Sequence, residues 1–438
     1  MPEINPSDTA WLLVSTALVL LMTPALALFY GGMVRAKNVL STFMHSFFAL
    51  GIVTIVWVTV GYSLAFAPTH GGIIGGLDYA FLRGVGTEAK GTIPHLLFMA
   101  YQMMFAIITP ALISGAFAER VKFSAYVVFT AAWTILVYCP LAHWVWGPGG
   151  WLAARGALDF AGGTVVHLAS GASALVFAIV LGKRVGWPHR KAPPHNLTMT
   201  LLGAGLLWFG WFGFNAGSAL GANGLAALAL VNTHVAAAAG ALSWAAIEWK
   251  RHGKPSSLGV ASGLVAGLVA VTPAAGFVGP MAAIVIGLGA GVVCFGGVLV
   301  KHRFGYDDAL DAFGVHGVGG AFGALMTGVF ASTAWNSAGQ DGLAYGNTEL
   351  FVEEVIAVIV AAVFAGAVTF VLLKVLDATL GLRAEKDLEQ EGLDVNLHGE
   401  EAYALADAHG GSMHYEEEGH AAEETLAAGE RNAAETAG

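Results

Sequence analysis

Eleven times along this chain an apolar run is long enough, at about 20 residues, to cross the hydrocarbon core of a bilayer. The runs lie near 10–33, 43–66, 95–117, 123–144, 162–182, 197–218, 224–249, 257–275, 280–300, 313–331 and 350–376. Backbone in hydrocarbon must satisfy its own hydrogen bonds, so such runs fold as helices. The expected fold is an all-α integral membrane protein with eleven transmembrane helices. Composition agrees: 11% of the 438 residues are charged, against about 25% in a soluble domain. Gly259, Gly263 and Gly267 recur every fourth position, a small-residue ridge that lets another helix approach closely. Cys139 and Cys294 lie in apolar runs far apart and read as small core residues, with no metal-ligand spacing.

Charge divides the chain and orients it. Residues 378–438 hold fifteen of the thirty acids but only Arg383, Lys386 and Arg431 as bases. The acidity therefore belongs to a tail, and the membrane domain, 1–377, is nearly neutral. One set of loops carries Arg35, Lys37, Arg120, Lys122, Lys183, Arg184, Arg190, Lys191, Lys250, Arg251, Lys254, Lys301 and Arg303; the opposite set carries only Arg83, Lys90 and Arg155. The positive-inside rule then puts the N-terminus outside and the tail in the cytoplasm. Met1 to Ala10 lack a basic n-region, and a 24-residue apolar run follows, so the first span is expected to stay in the mature protein.

Polar residues deep in a span are expensive, and each is a functional candidate. The fifth run reads DFAGGTVVHLASG and holds His167; the tenth reads DAFGVHGVGGAFG and holds His316. Gly163 and Gly171 share a helix face with His167, and Gly319, Gly320 and Gly323 share one with His316. A lone buried histidine is as often a structural pin as a working group; two in matched settings favour function. An aspartate opens or precedes each run, Asp159 and Asp311, which suggests an inverted five-plus-five repeat with a final span. Asp159 lies eight residues before His167, about 12 Å along a helix, and so reads as a cap on backbone N–H groups. Tyr101, Phe105, Trp146, Trp211 and Phe214 sit near the external halves of their spans. Singly each is a belt or core residue. Beside Ser218, as a group, they could cage a small cation by ring faces, with the hydroxyl accepting a hydrogen bond from an ion that carries protons.

The runs ALFYGGMVRAKNVLS, GAFAER, DFAGGTVVH, GWFGFNAGSA, GLVAGLVAVTPAAGFV and DAFGVHGVGG resemble the bacterial ammonium transporters of the Amt, Mep and Rh superfamily. The likeness runs to about Tyr403 through GLR and EGLDVNLHGEEAY. It implies a homotrimer in the cell (inner) membrane with one pore per subunit, taking ammonium or methylammonium. It also implies an outer site of Tyr101, Phe105, Trp146 and Ser218, a phenyl gate of Phe105 and Phe214, and a pore pair of His167 and His316. Asp159 is then structural, with Trp211 at the mouth. The cytoplasmic regulatory tail, 378–403, implies a PII-type signal protein as partner. Two features depart from the pattern: Tyr101 stands where phenylalanine is usual, and an acidic extension, 404–438, is expected to be disordered. No cofactor, metal, nucleic acid or enzymatic activity is expected. The preferred mechanism is capture of ammonium, deprotonation, and passage of ammonia with the proton following separately. An ammonium sensor and a neutral-gas channel of the Rh kind are the alternatives.

Overall fold

The computed structural model of the chain describes residues 3–189 and 192–403; the extension expected to be disordered, 404–438, lies outside the described residues. Among the described residues ten helices are long and apolar enough to cross a membrane: Pro6–Met33, Ala36–Phe66, His95–Phe117, Phe123–Arg155, Gly163–Leu181, Leu197–Gly217, Gly224–His252, Pro280–Phe304, Phe313–Phe330 and Thr348–Thr379. Each matches an expected run.

The eighth run, 257–275, departs from expectation. It is helical only over Ser257–Val271, 15 residues or about 22 Å. Pro273 cannot continue the hydrogen-bond ladder, and the chain proceeds as turns through Ala274, Ala275 and Val278, all fully buried. Irregular backbone at this depth is tolerated where protein covers it and supplies donors. Asn232 does so, its Nδ2 donating to the carbonyls of Ala275 at 2.8 Å and Val278 at 2.7 Å.

Close packing follows the small residues. Pro6–Met33 lies along Leu197–Gly217, and Gly224–His252 packs on both Ser257–Val271 and Pro280–Phe304. The 259–267 ridge faces Gly224–His252, where a Cβ added at Gly267 would stand 2.2 Å from the Ala236 carbonyl oxygen. At the N-terminal end of the bundle, two short hairpins join the helices. Thr69–His70 pairs antiparallel with Ile74–Gly75, and Ala89–Lys90 with Ile93–Pro94.

The opposite end, the tail face, is closed by a polar network. Glu119, with its side chain fully buried, accepts from the backbone N–H and Nε of Arg35, each at 2.9 Å, from Asn38 Nδ2 at 3.0 Å and from Arg184 at 3.3 Å. Asp307 accepts three bonds from Arg184 at 2.8–2.9 Å. The segment after the last helix folds back onto these loops. Ala384 donates to the Arg120 carbonyl at 3.0 Å, and Lys122 to that of Leu382 at 2.8 Å. Asp394 accepts from the N–H groups of Leu40 at 3.0 Å and Ser41 at 2.8 Å. It thereby caps the second helix from 353–354 residues away in sequence. A helix N-terminus presents unpaired donors, and here the tail supplies their acceptor.

Candidate functional site

The two histidines meet because their helices cross at glycine. A Cβ added at Gly171 would lie 2.1 Å from the Gly317 nitrogen, and one at Gly320 would lie 2.7 Å from the Gly163 carbonyl oxygen. No larger residue fits at either point. The contact brings His167 Nδ1 and His316 Nδ1 to 3.3 Å, with ring centroids 5.4 Å apart and planes inclined by 21°. Two Nδ1 atoms at that distance share one proton, one donating and the other accepting. Each ring then leaves its Nε2 for something else; that of His167 is buried and has no protein partner.

Both histidines stand in π-helical turns, Gly163–Leu168 and Phe313–Gly317, each leading into an α-helix. Such turns are rare and recur at functional sites. Each is capped by an aspartate. Asp159 accepts from the N–H groups of Gly162, Gly163 and Thr164 and from Thr164 Oγ1, all at 2.5–2.7 Å. In the tenth span the cap is Asp308, which accepts from Ala312 at 3.0 Å and Phe313 at 2.8 Å. The expected counterpart of Asp159 was Asp311; that assignment is corrected, because the Asp311 carboxylate pairs with Lys301 instead. Asp308 precedes His316 by eight residues, as Asp159 precedes His167, a spacing that is legible in the sequence.

Three cavities follow one another through the bundle. The first, about 190 Å³, opens at the N-terminal end and is lined by Phe66, Phe98, Gln102, Phe105, Trp146, Phe160, Ser218 and Leu220. Phe105 in its lining meets Phe214 of the next cavity, with ring centroids 4.2 Å apart. Trp146 stands edge to face with Phe105 at 6.1 Å and is held by its Nε1 bond to the Asp159 carbonyl at 2.8 Å. Beyond the phenyl pair a cavity of about 10 Å³ is walled by Met22, Leu26, Phe29, Ile108, Leu112, Val166, Leu207 and Val265 together with Phe214, Trp211, His167 and His316. That volume admits roughly one molecule the size of water. A third, about 30 Å³, shares Phe29, Val265 and His316 with the second and continues toward the tail face.

Phe105, Trp146 and Ser218 thus line the first cavity, and His167, His316 and Phe214 the second. Two expected residues stand elsewhere. Trp211 is not at the mouth: one helical turn deeper than Phe214, it stacks on His167 at 5.4 Å and donates to Thr272 Oγ1 at 2.9 Å. Tyr101 does not wall the cavity; it is fully buried behind Ser218, its hydroxyl among backbone carbonyls. The residue that sequence reasoning missed is Gln102, a lone amide in an apolar helix, which lines the mouth between Phe98 and Phe105 of the same helix. Among the described residues no group of three or more His, Cys, Asp or Glu side chains is placed to hold a metal ion.

Residues 10–403 match the family described as the Ammonium Transporter Family. The chain is 56% identical over 400 residues to an ammonium transporter of Bacillus subtilis (strain 168), covering 90% of this chain and 98% of that one. Its fold is similar to the crystal structure of Saccharomyces cerevisiae Mep2, with a TM-score of 0.82 and 38% identity over 87% of this chain and 91% of the other. It is also similar to a solved structure titled Sensor Amt Protein, with a TM-score of 0.83 and 28% identity over 90% and 98% of the two chains.

Proposed function

This chain belongs to the ammonium transporter family, and from that premise we propose that it binds ammonium in the aromatic mouth, strips one proton from it and passes ammonia along the histidine pair. The observation that carries this reading is the abrupt narrowing behind Phe105 and Phe214, from about 190 Å³ to about 10 Å³.

An ion in the mouth keeps part of its water. Trp146 and Phe105 offer ring faces, Ser218 and Gln102 offer oxygen acceptors, and ammonium can donate to both oxygens. Past the phenyl pair a bare cation would meet an apolar wall, at an effective cost of several kcal/mol. Ammonia avoids that cost. It is small enough for the second cavity, accepts a hydrogen bond from a ring N–H and donates to a bare ring nitrogen. When the bare Nε2 of one ring takes a proton, that ring can pass its Nδ1 proton across the Nδ1–Nδ1 contact while the other ring releases its own Nε2 proton. Both rings stay neutral, and which Nε2 is donor and which acceptor is reversed. Potassium has no proton to surrender and stops at the gate. The proton moves apart from ammonia, along the two histidine rings, so uptake is electrogenic.

If the mouth captures the cation, Trp146→Leu should raise the half-saturating ammonium concentration of the current about tenfold, a cation–π contribution at a desolvated face. Methylammonium should then compete more weakly. Current recorded from vesicles against ammonium concentration checks this, and an unchanged concentration dependence would remove the mouth from the account.

The same reading extends to the assembly. The short helix Ser257–Val271 and its buried turn complete an eleventh crossing, and the aspartate-then-histidine spacing supports the five-plus-five repeat. The protein is then a multi-pass protein of the cell membrane, N-terminus outside, tail inside. His234 is exposed midway along Gly224–His252, stacked on Trp208 at 5.1 Å. A polar ring there calls for cover by a second subunit, in keeping with a homotrimer. The folded-back tail, 378–403, is a regulatory segment that a PII-type protein can read from the cytoplasm. Those tail contacts also favour a second reading, in which the protein reports ammonium as well as carrying it; tail variants that keep full current but lose signalling would select it.

A further inference from the structure

Tyr101 is the residue that departs from the family pattern, and its surroundings give it a different task from lining the cation site. Its ring packs edge to face on Phe105, with centroids 5.0 Å apart. Its hydroxyl lies 2.9 Å from the carbonyl oxygens of both Gly213 and Phe214, and 3.2 Å from Ser218 Oγ. The space it fills is the missing side chain of Gly217, where an added Cβ would stand 2.6 Å from the hydroxyl oxygen. Ser218 itself donates to the Phe214 carbonyl at 2.8 Å. Two hydroxyl protons thus meet two carbonyls at the end of Leu197–Gly217, and both are taken up by the backbone.

We propose that Tyr101 is a positioning residue that holds Ser218 with its proton turned back to the helix and its lone pairs turned to the mouth. A hydroxyl free to rotate presents a proton to the cavity for part of the time, and a proton repels a cation. With its own proton on a backbone carbonyl, the Tyr101 oxygen, 3.2 Å away, is a second acceptor on the helix side for the Ser218 proton, so Ser218 meets the mouth with its lone pairs. Ammonium, which can only donate, finds a fixed partner; a solute that must itself accept a hydrogen bond does not. Tyr101 reaches the ion through Ser218 alone.

This inference rests on the reading of the mouth as the ammonium site, and four proteins separate the two. Wild type, Y101F, S218A and the double variant are reconstituted at equal density, and current is recorded against ammonium concentration. Y101F keeps the ring and removes only the hydroxyl. The expected result is a half-saturating concentration raised about fivefold in Y101F, the scale of one hydrogen bond, with the loss falling on half-saturation and not on maximal current. S218A should shift it at least as far, and the double variant no further than S218A. Effects that multiply in the double variant would show that Tyr101 acts independently of Ser218 and overturn the inference. So would a shift in S218A with none in Y101F, or a Y101F defect confined to maximal current; in either case the reading of the mouth stands. No shift in S218A would defeat that reading, and this inference with it.

Discussion

His167→Asp should make the pore conduct potassium as readily as ammonium. His167 lies in a cavity of about 10 Å³ walled by aliphatic and aromatic side chains, and nothing there compensates a bare cation. A carboxylate is shorter than an imidazole, so the substitution opens volume while adding a fixed negative charge. That charge draws in water and partly offsets dehydration, the step that on the proposed mechanism excludes potassium from the wild type. The relay is lost as well, because Nδ1 of His316 loses its partner at 3.3 Å. Selectivity should therefore vanish while conduction persists. His316→Ala removes the relay without adding charge, and should lose most of the ammonium current without gaining potassium. Currents under separate ammonium and potassium gradients in vesicles distinguish these outcomes. A His167→Asp pore that still refuses potassium would show that dehydration is not the selective step.

Glu119→Ala should destabilise the tail face by about 3–5 kcal/mol, the scale for removing one member of a buried ion pair. The carboxylate is fully buried and accepts from Arg35 and Arg184, whose own side chains are largely covered. Its backbone also holds a left-handed φ of 73°, which a non-glycine residue keeps only when its surroundings enforce it. Burial pushes the Glu119 carboxyl up, but Arg35 and Arg184 prevail and hold it below the usual 4.5. A carboxyl depressed on folding contributes stability that is fully present above its unfolded pKa and is lost as pH falls through its folded one. The gap in melting temperature between wild type and Glu119→Ala should therefore stay constant from pH 8 to pH 5 and close only in more acid buffer. A gap that closes between pH 7 and pH 6 would mean that a histidine, not Glu119, carries the linkage.

The sequence carries the membrane helices in plain form because run length and composition are local properties. It loses whatever depends on an acceptor arriving from elsewhere. By hydropathy the second run begins at 43, after the interruption by Arg35 and Lys37, yet the α-helix begins at Val39, behind a short turn at Ala36–Asn38, and Asp394 of the tail caps it. The eighth run has the composition of a full span, but Pro273 ends the helix and the buried Asn232 amide makes the break tolerable. At the site, the histidines and their glycine stripes are visible at helical spacing. The π turns are not, since their extra residue per turn leaves no mark in composition. Asp311 lies closer to the apolar run than Asp308, whereas the shared eight-residue interval to histidine points to Asp308. Trp211 and Phe214 look equally near the mouth at one turn's separation, and only the packing shows that Phe214 joins Phe105 in the phenyl pair while Trp211 stands beyond it, against His167.

The central claim is that the histidine pair separates the proton from ammonium and thereby lets ammonium pass where potassium cannot. Its most direct test is the current carried by vesicles containing the variant with both His167 and His316 replaced by alanine, compared with wild type at equal protein density under an ammonium gradient and then a potassium gradient. Wild type should carry current with ammonium and none with potassium; the double variant should carry none of the proton-coupled ammonium current. A double variant that transports ammonium at the wild-type rate and still excludes potassium would contradict the account and reduce the two histidines to pins between helices.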